Sequence, residues 1–123
     1  MFTLHYSEEV KKALDNNLPI VALESTIIAF GMPYPQNMQM AHLAEAEVRK
    51  HDAVPATIAI IKGVVKIGLE KEDIAFLASD STDIIKTSRR DIPYVISKKA
   101  NGATTVSGTM VLAHNANIAV FAT

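Results

Sequence analysis

Short, continuously apolar runs alternate with helix-forming stretches along the 123 residues. That order predicts an α/β fold, three-layer α/β/α, with helices on a largely parallel sheet. Two runs carry the prediction, IVAL at 20–23 and TIAII at 57–61. Each is too short for a buried helix and lacks the alternation of a half-exposed strand, the pattern of strands covered on both faces. The third observation is the stretch at 36–50, made mostly of strong helix formers, between them.

The elements follow in order. Ser7 ahead of Glu8 and Glu9 is a helix N-cap, and Val10, Ala13 and Leu14 share a face until Asn16 and Asn17. Pro19 hands over to the strand at 20–23. Residues 24–35 hold Gly31, Pro33 and Pro35, so they read as a long surface loop without a regular element, of a length that is usually functional or disordered. The helix at 36–50 is expected to bury Met40, Leu43, Ala44 and Val48 and to expose Glu45, Glu47, Arg49 and Lys50. After 57–61, Val64, Val65 and Ile67 form a second strand between Gly63 and Gly68, and 70–78 returns to helix with Ile74 and Leu77 inward. Ile84 and Ile85 make a short extended step, 91–99 is helical with Pro93 in its first turns, and Asn101 and Gly102 stop it. Thr104 and Thr105 cap a helix running to about Asn115, and IAVF at 118–121 is the last strand. No helix or polar tail follows it, so residues 1–123 are expected to form a single domain whose sheet is incomplete on the C-terminal side.

Composition narrows the function. Twelve basic against thirteen acidic residues leave a net charge of −1, which disfavours a general nucleic-acid binder. A chain of this size buries roughly 67% of its unfolded surface, enough for a core without staples. The absence of cysteine excludes a disulfide framework and a thiolate nucleophile, and it suits a reducing, cytoplasmic setting. The N-terminal residues lack the apolar stretch of a signal peptide, and no apolar run approaches ~20 residues, so no membrane partner is expected.

Glu24 follows a buried strand directly, the edge at which α/β enzymes place their chemistry. A general acid there needs an apolar setting, which Leu23, Ile27, Ile28 and Phe30 are placed to supply. The plainer alternative, evenly weighted, is a carboxylate that organises the loop through the Ser25 and Thr26 amides. KTSRRD at 86–91 puts Lys86, Arg89 and Arg90 beside two hydroxyls and a helix start, a composition suited to phosphate but also to a solvated charge cluster with Asp91 paired to an arginine. NGATTVSGTM at 101–110 brings amides near Thr105 and Val106 to a helix start. It has neither P-loop nor dinucleotide-fold spacing, and a capped helix with Gly108 allowing close packing is the commoner explanation. His5, His42, His51 and His114 stand at no metal-ligand spacing, and Met32, Met38 and Met40 suit flexible packing or an interface.

Together, VALESTIIAFGMPYPQN, VPATIAIIKGVVKIGL, KTSRRDIPYVISKKANGATTVSGTM and IAVFAT resemble the pseudouridine-5'-phosphate glycosidases, or indigoidine synthase A-like family, over nearly the whole chain. The resemblance implies an α/β/α enzyme, usually a homotrimer, that reversibly cleaves the C–C glycosidic bond of pseudouridine 5'-phosphate to uracil and ribose 5-phosphate with Mn²⁺. By the same resemblance Glu24 is the proton donor, Lys86 binds substrate, and Val106 contributes a backbone contact. Arg89, Arg90 and Thr105 are then candidates for phosphate or loop support. Family members continue past the FAT segment into a glycine-rich loop, a metal-binding aspartate, a serine-rich loop and a nucleophilic lysine. The chain is therefore expected to match an N-terminal portion, with no metal ligand of its own and no activity alone. The alternative is a non-catalytic module that binds a ribose phosphate or assembles with a partner.

Overall fold

In the computed structural model, which describes residues 2–79 and 83–123, the sheet is organised around β3 (Val54–Ile61), buried continuously from Pro55 to Ile60. The chain order is β1 (Leu4–Tyr6), α1 (Glu8–Asp15), β2 (Ile20–Leu23), a π-helical turn (Ile27–Gly31), α2 (Gln36–Lys50), β3, β4 (Val64–Ile67) and α3 (Lys71–Ala78). After it come β5 (Ile85–Thr87), a 3-10 turn (Arg89–Asp91), α4 (Ile92–Ser97), β6 (Gly102–Thr104), α5 (Val106–Asn115) and β7 (Val120–Ala122). The β1–β4, β2–β3, β2–β7 and β5–β6 pairs are parallel, and β3 pairs antiparallel with β4 and β6. The mixed α/β class with a mostly parallel sheet is thus as the sequence predicts.

The continuous apolar run of β3 has a direct physical reason, because alternate residues enter two cores. Ala56, Ile58 and Ile60 pack with Val10 of α1, Ile92 and Val95 of α4, and Leu112 and Ala113 of α5. Ala59 and Ile61 pack on the other cluster, with Ile28 of the π turn, Ala41 of α2, and Ile74 and Leu77 of α3. A period of two across a sheet covered on both faces leaves no position for a polar residue that lacks a partner.

Five expectations are corrected. β1 is an edge strand that three residues, Leu4, His5 and Tyr6, make against β4, and β6 is another three-residue strand where the sequence reads only a helix stop. The last strand starts at Val120 rather than Ile118. The segment 24–35 contains the π-helical turn at Ile27–Gly31, held from below by Asn37. The Asn37 side-chain amide donates to the Ile28 and Ala78 carbonyls at 2.8 and 3.1 Å. Finally, α2 is rotated from the expected face: Asn37, Ala41 and Glu45 are buried, whereas Leu43 is 71% exposed. Glu45 tolerates that position because Thr57 Oγ1 donates to Oε2 at 2.7 Å and Arg49 Nη2 to Oε1 at 3.3 Å. A buried carboxylate with its lone pairs occupied avoids most of its desolvation cost.

The topology that positions the site follows from β3 having more length than any one neighbour. On one edge β4 takes its C-terminal half. On the other edge β2 runs parallel along Val54 to Thr57, and β6 runs antiparallel along Ala59 and Ile60. Two strands of opposite direction on one edge point at each other. Their carboxyl ends meet between Leu23 and Thr104.

Candidate active site

At that meeting point the backbone continues from β2 into Glu24 and Ser25, and from β6 into Thr105 and the start of α5. Ser25 and Thr104 are fully buried. The Ser25 amide donates to the Thr104 carbonyl at 3.2 Å, and the Thr104 amide donates to Ser25 Oγ at 2.8 Å. One step along the sheet, Thr87 of β5 stands in register with Thr104, and the Thr105 amide donates to the Thr87 carbonyl at 3.0 Å. Glu24, Thr105 and Lys86 therefore each lie next to a member of the row Ser25–Thr104–Thr87.

Glu24 is half-buried and lines a cavity of about 170 Å³ with Leu23, Ile27, Ile28 and Met40 among its walls. Leu23, Ile27 and Ile28 are the apolar neighbours expected from the sequence; Phe30 is absent from that lining and is exposed. Thr123 donates its hydroxyl hydrogen to Glu24 Oε1. The carboxyl thus combines an apolar wall with one hydroxyl partner, an arrangement that serves an acid able to move a proton within a sheltered space.

The basic segment builds a different hollow. Ser88, Arg89, Arg90, Pro93 and Ser107 line an open cleft of about 370 Å³. Asp91 does not pair with an arginine in the way one sequence reading allows: its carboxylate accepts from the Ser88 amide at 3.0 Å, capping the 3-10 turn. Three hydroxyls join this turn to α5, since Thr105 Oγ1 donates to Ser88 Oγ at 3.2 Å and Ser107 Oγ accepts from the Arg89 amide at 3.1 Å. Thr105 is the N-cap of α5, accepting from the Gly108 amide, as its place in the sequence predicts. Val106, the first residue of the helix, is exposed, with an amide in the turn that has no intrahelical acceptor. Lys86 is exposed on β5; it and Val106 line neither hollow.

Sequence reasoning missed the buried hydroxyls that hold these parts together. Thr104 Oγ1 donates to the Ile58 carbonyl at 2.7 Å and lies 2.8 Å from Thr109 Oγ1 and 3.3 Å from Ser25 Oγ. The available signal was the pairing of Ser25 after a strand with Thr104 and Thr105 at a helix start. Among the described residues no group of three or more His, Asp or Glu side chains is arranged to hold a metal ion, and no helix is long and apolar enough to cross a membrane.

Comparison with known proteins shows the family and the fold. The family model for indigoidine synthase A like proteins matches residues 9–123. The chain is 58% identical to pseudouridine-5'-phosphate glycosidase 2 of Photorhabdus laumondii and 56% identical to pseudouridine-5'-phosphate glycosidase of Escherichia coli, in each case over 98% of this chain and 38% of the relative. Among solved structures it is similar to the prealnumycin C-glycosynthase AlnA in complex with ribulose 5-phosphate, with a TM-score of 0.85 and 42% identity over 98% of this chain and 38% of that one. It is also similar to an indigoidine synthase A-like protein from Thermotoga maritima, with a TM-score of 0.84 and 26% identity over 99% and 39%. The chain spans less than two-fifths of the length of these relatives.

Proposed function

Because the chain belongs to the indigoidine synthase A-like family, we propose that it supplies the proton-donating and phosphate-binding part of a pseudouridine-5'-phosphate glycosidase. The observation that carries the reading is the meeting of the β2 and β6 carboxyl ends. It sets a sheltered carboxylate and an open helix start on adjoining turns of backbone, joined through Ser25 and Thr104.

In this reading Glu24 is the general acid. The bond to uracil is C–C, so departure of the base requires a proton on carbon, and the scheme of two carboxylates acting on a glycosidic oxygen does not suffice. The nucleophile is a lysine outside this chain, as the family resemblance implies; Lys98 and Lys99 are exposed at the end of α4, before β6. Lys86 and the Val106 amide hold the phosphate-bearing sugar, with Arg89, Arg90 and Thr105 in support. A relative's complex with ribulose 5-phosphate supports a sugar phosphate as ligand. The Mn²⁺ of the family resemblance has no fitting ligand set among the described residues, so the roles assigned here belong to this chain's side chains and amides alone. A homotrimer and a cytoplasmic location belong to the same proposal.

The test is uracil release from pseudouridine 5'-phosphate with Mn²⁺, by the chain alone and with the unmatched portion of a relative supplied in trans. Release that needs the added portion and is lost in Glu24→Gln supports the reading. Binding of ribose 5-phosphate without release under either condition favours the non-catalytic module instead.

A further inference from the structure

We propose that Ser25 and Thr104 are positioning residues, a reciprocal clasp that fixes the separation between Glu24 and the helix start at Val106. The proposal rests on the reading of Glu24 as proton donor and Val106 as a sugar-phosphate contact. These two positions lie 82 residues apart in sequence but only one and two residues from the clasp.

The hydrogen count of the clasp leaves one arrangement. Thr104 has a single hydroxyl hydrogen, and it goes to the Ile58 carbonyl at 2.7 Å. Thr104 Oγ1 therefore accepts in its other contacts, from Thr109 at 2.8 Å and from Ser25 at 3.3 Å. Ser25 Oγ, with its own hydrogen given to Thr104 Oγ1, accepts from the Thr104 amide at 2.8 Å. Each hydroxyl thus has one assigned direction, and no buried side-chain oxygen or nitrogen is left without a partner among the described residues. A network satisfied in one way holds a single geometry, whereas a partly satisfied one would allow several.

The clasp also has reach at both ends. The Ser25 carbonyl accepts from the Ile28 and Ala29 amides, starting the π turn that walls the Glu24 cavity. The Thr109 side chain belongs to the second turn of α5, and the Thr105 carbonyl accepts from the Thr109 amide at 2.8 Å. Movement of Ser25 against Thr104 would be transmitted to the acid on one side and to the Val106 amide on the other. Displacement of an acid from its bound substrate by about 1 Å lowers turnover by about 10²-fold.

The experiment has two arms. The first follows backbone amides of this chain by NMR in Ser25→Ala and in the milder Ser25→Cys, which is retained should the alanine variant fail to fold. The expected result is faster hydrogen exchange at Thr104 with linked shifts at Glu24 and Val106. A change confined to the immediate neighbours of Ser25, with Val106 unmoved, overturns the proposal. The second arm measures kcat and KM for pseudouridine 5'-phosphate with the complementing portion present. Thr104→Val is expected to lower kcat by about 10²-fold with KM little changed, and Thr104→Ser to restore it. Loss of thermal stability with unaltered kcat per folded molecule would assign a merely structural role and overturn the proposal. Absence of turnover in the unsubstituted chain overturns the functional reading instead, and the amide arm still decides the coupling.

Discussion

Gly108 shows at the scale of one residue how close the site's parts approach. A Cβ built there would lie 2.5 Å from the Thr87 carbonyl oxygen and 3.4 Å from Thr104 Cβ. The first neighbour is backbone in β5 and cannot rotate away, so Gly108→Ala must separate α5 from the strand that bears Lys86. The substitution is expected to cost about 1–3 kcal/mol, read as a lower denaturant midpoint with an unchanged slope. It should also weaken ribose 5-phosphate binding, measured by calorimetry. The sequence does single out Gly108 as a site of close packing, and the Thr105 cap and the place of Glu24 at a strand end are legible because each depends on immediate neighbours. Ser25 and Thr104 are not legible, because their meaning depends on a pairing across 79 positions that no local pattern encodes.

Among the elements, α2 is the instructive failure. Its most apolar stripe was expected to face the core, and in the fold a stripe with Asn37 and Glu45 does so. Periodicity reports where apolar residues lie but not whether a neighbour can satisfy a buried polar one. Asn37 is held inward because its side-chain amide donates to two carbonyls, one in the π turn and one at the end of α3. Asn37→Leu is expected to lower stability by about 1–3 kcal/mol by leaving these acceptors buried and unpaired. Equilibrium unfolding checks it, and a change within 0.5 kcal/mol or so would mean that water replaces the amide.

The other end of α2 gives a pH dependence. Arg49 Nε and Nη2 donate to the two oxygens of Glu9 on α1 at 2.9 and 2.8 Å. These hydrogen bonds hold the Glu9 carboxyl below the usual carboxylate range; burial opposes them and the guanidinium charge adds to them. The folded value is depressed, so the stabilisation is present above the unfolded value of about 4.3 and is lost as pH falls through the folded one. Both side chains are more than two-fifths exposed, which limits the effect to within about 1 kcal/mol. Thermal melts of Glu9→Gln should therefore lie below those of the unsubstituted chain at neutral pH, with the two converging at acid pH.

At the scale of the whole molecule, the layer order was readable because continuous apolar strands alternate with helices, whereas β1 and β6 were not, because LHY and GAT form no continuous apolar run. The same scale decides how the molecule behaves in solution. β7 pairs only with β2 among the described residues, and beside it lies an open, mostly apolar hollow lined by Val21, Leu23, Val48 and Val120, with Glu47 and His51 on its helical side. Val120 is 55% exposed, and Leu43 stands further out on α2. An unpaired strand edge next to apolar surface is a template for another chain, and proteins that leave such edges open blunt them with charge or proline. VFA has neither. The chain alone is therefore expected to self-associate in a concentration-dependent way in sedimentation velocity. Val120→Lys should reduce that association, because a charge on the edge opposes docking of a second strand while the side chain can reach water. Leu43→Glu tests separately the exposed apolar residue of α2 outside that hollow. If both variants sediment as the unsubstituted chain does, the association uses another face, and the open edge is harmless at the concentrations examined.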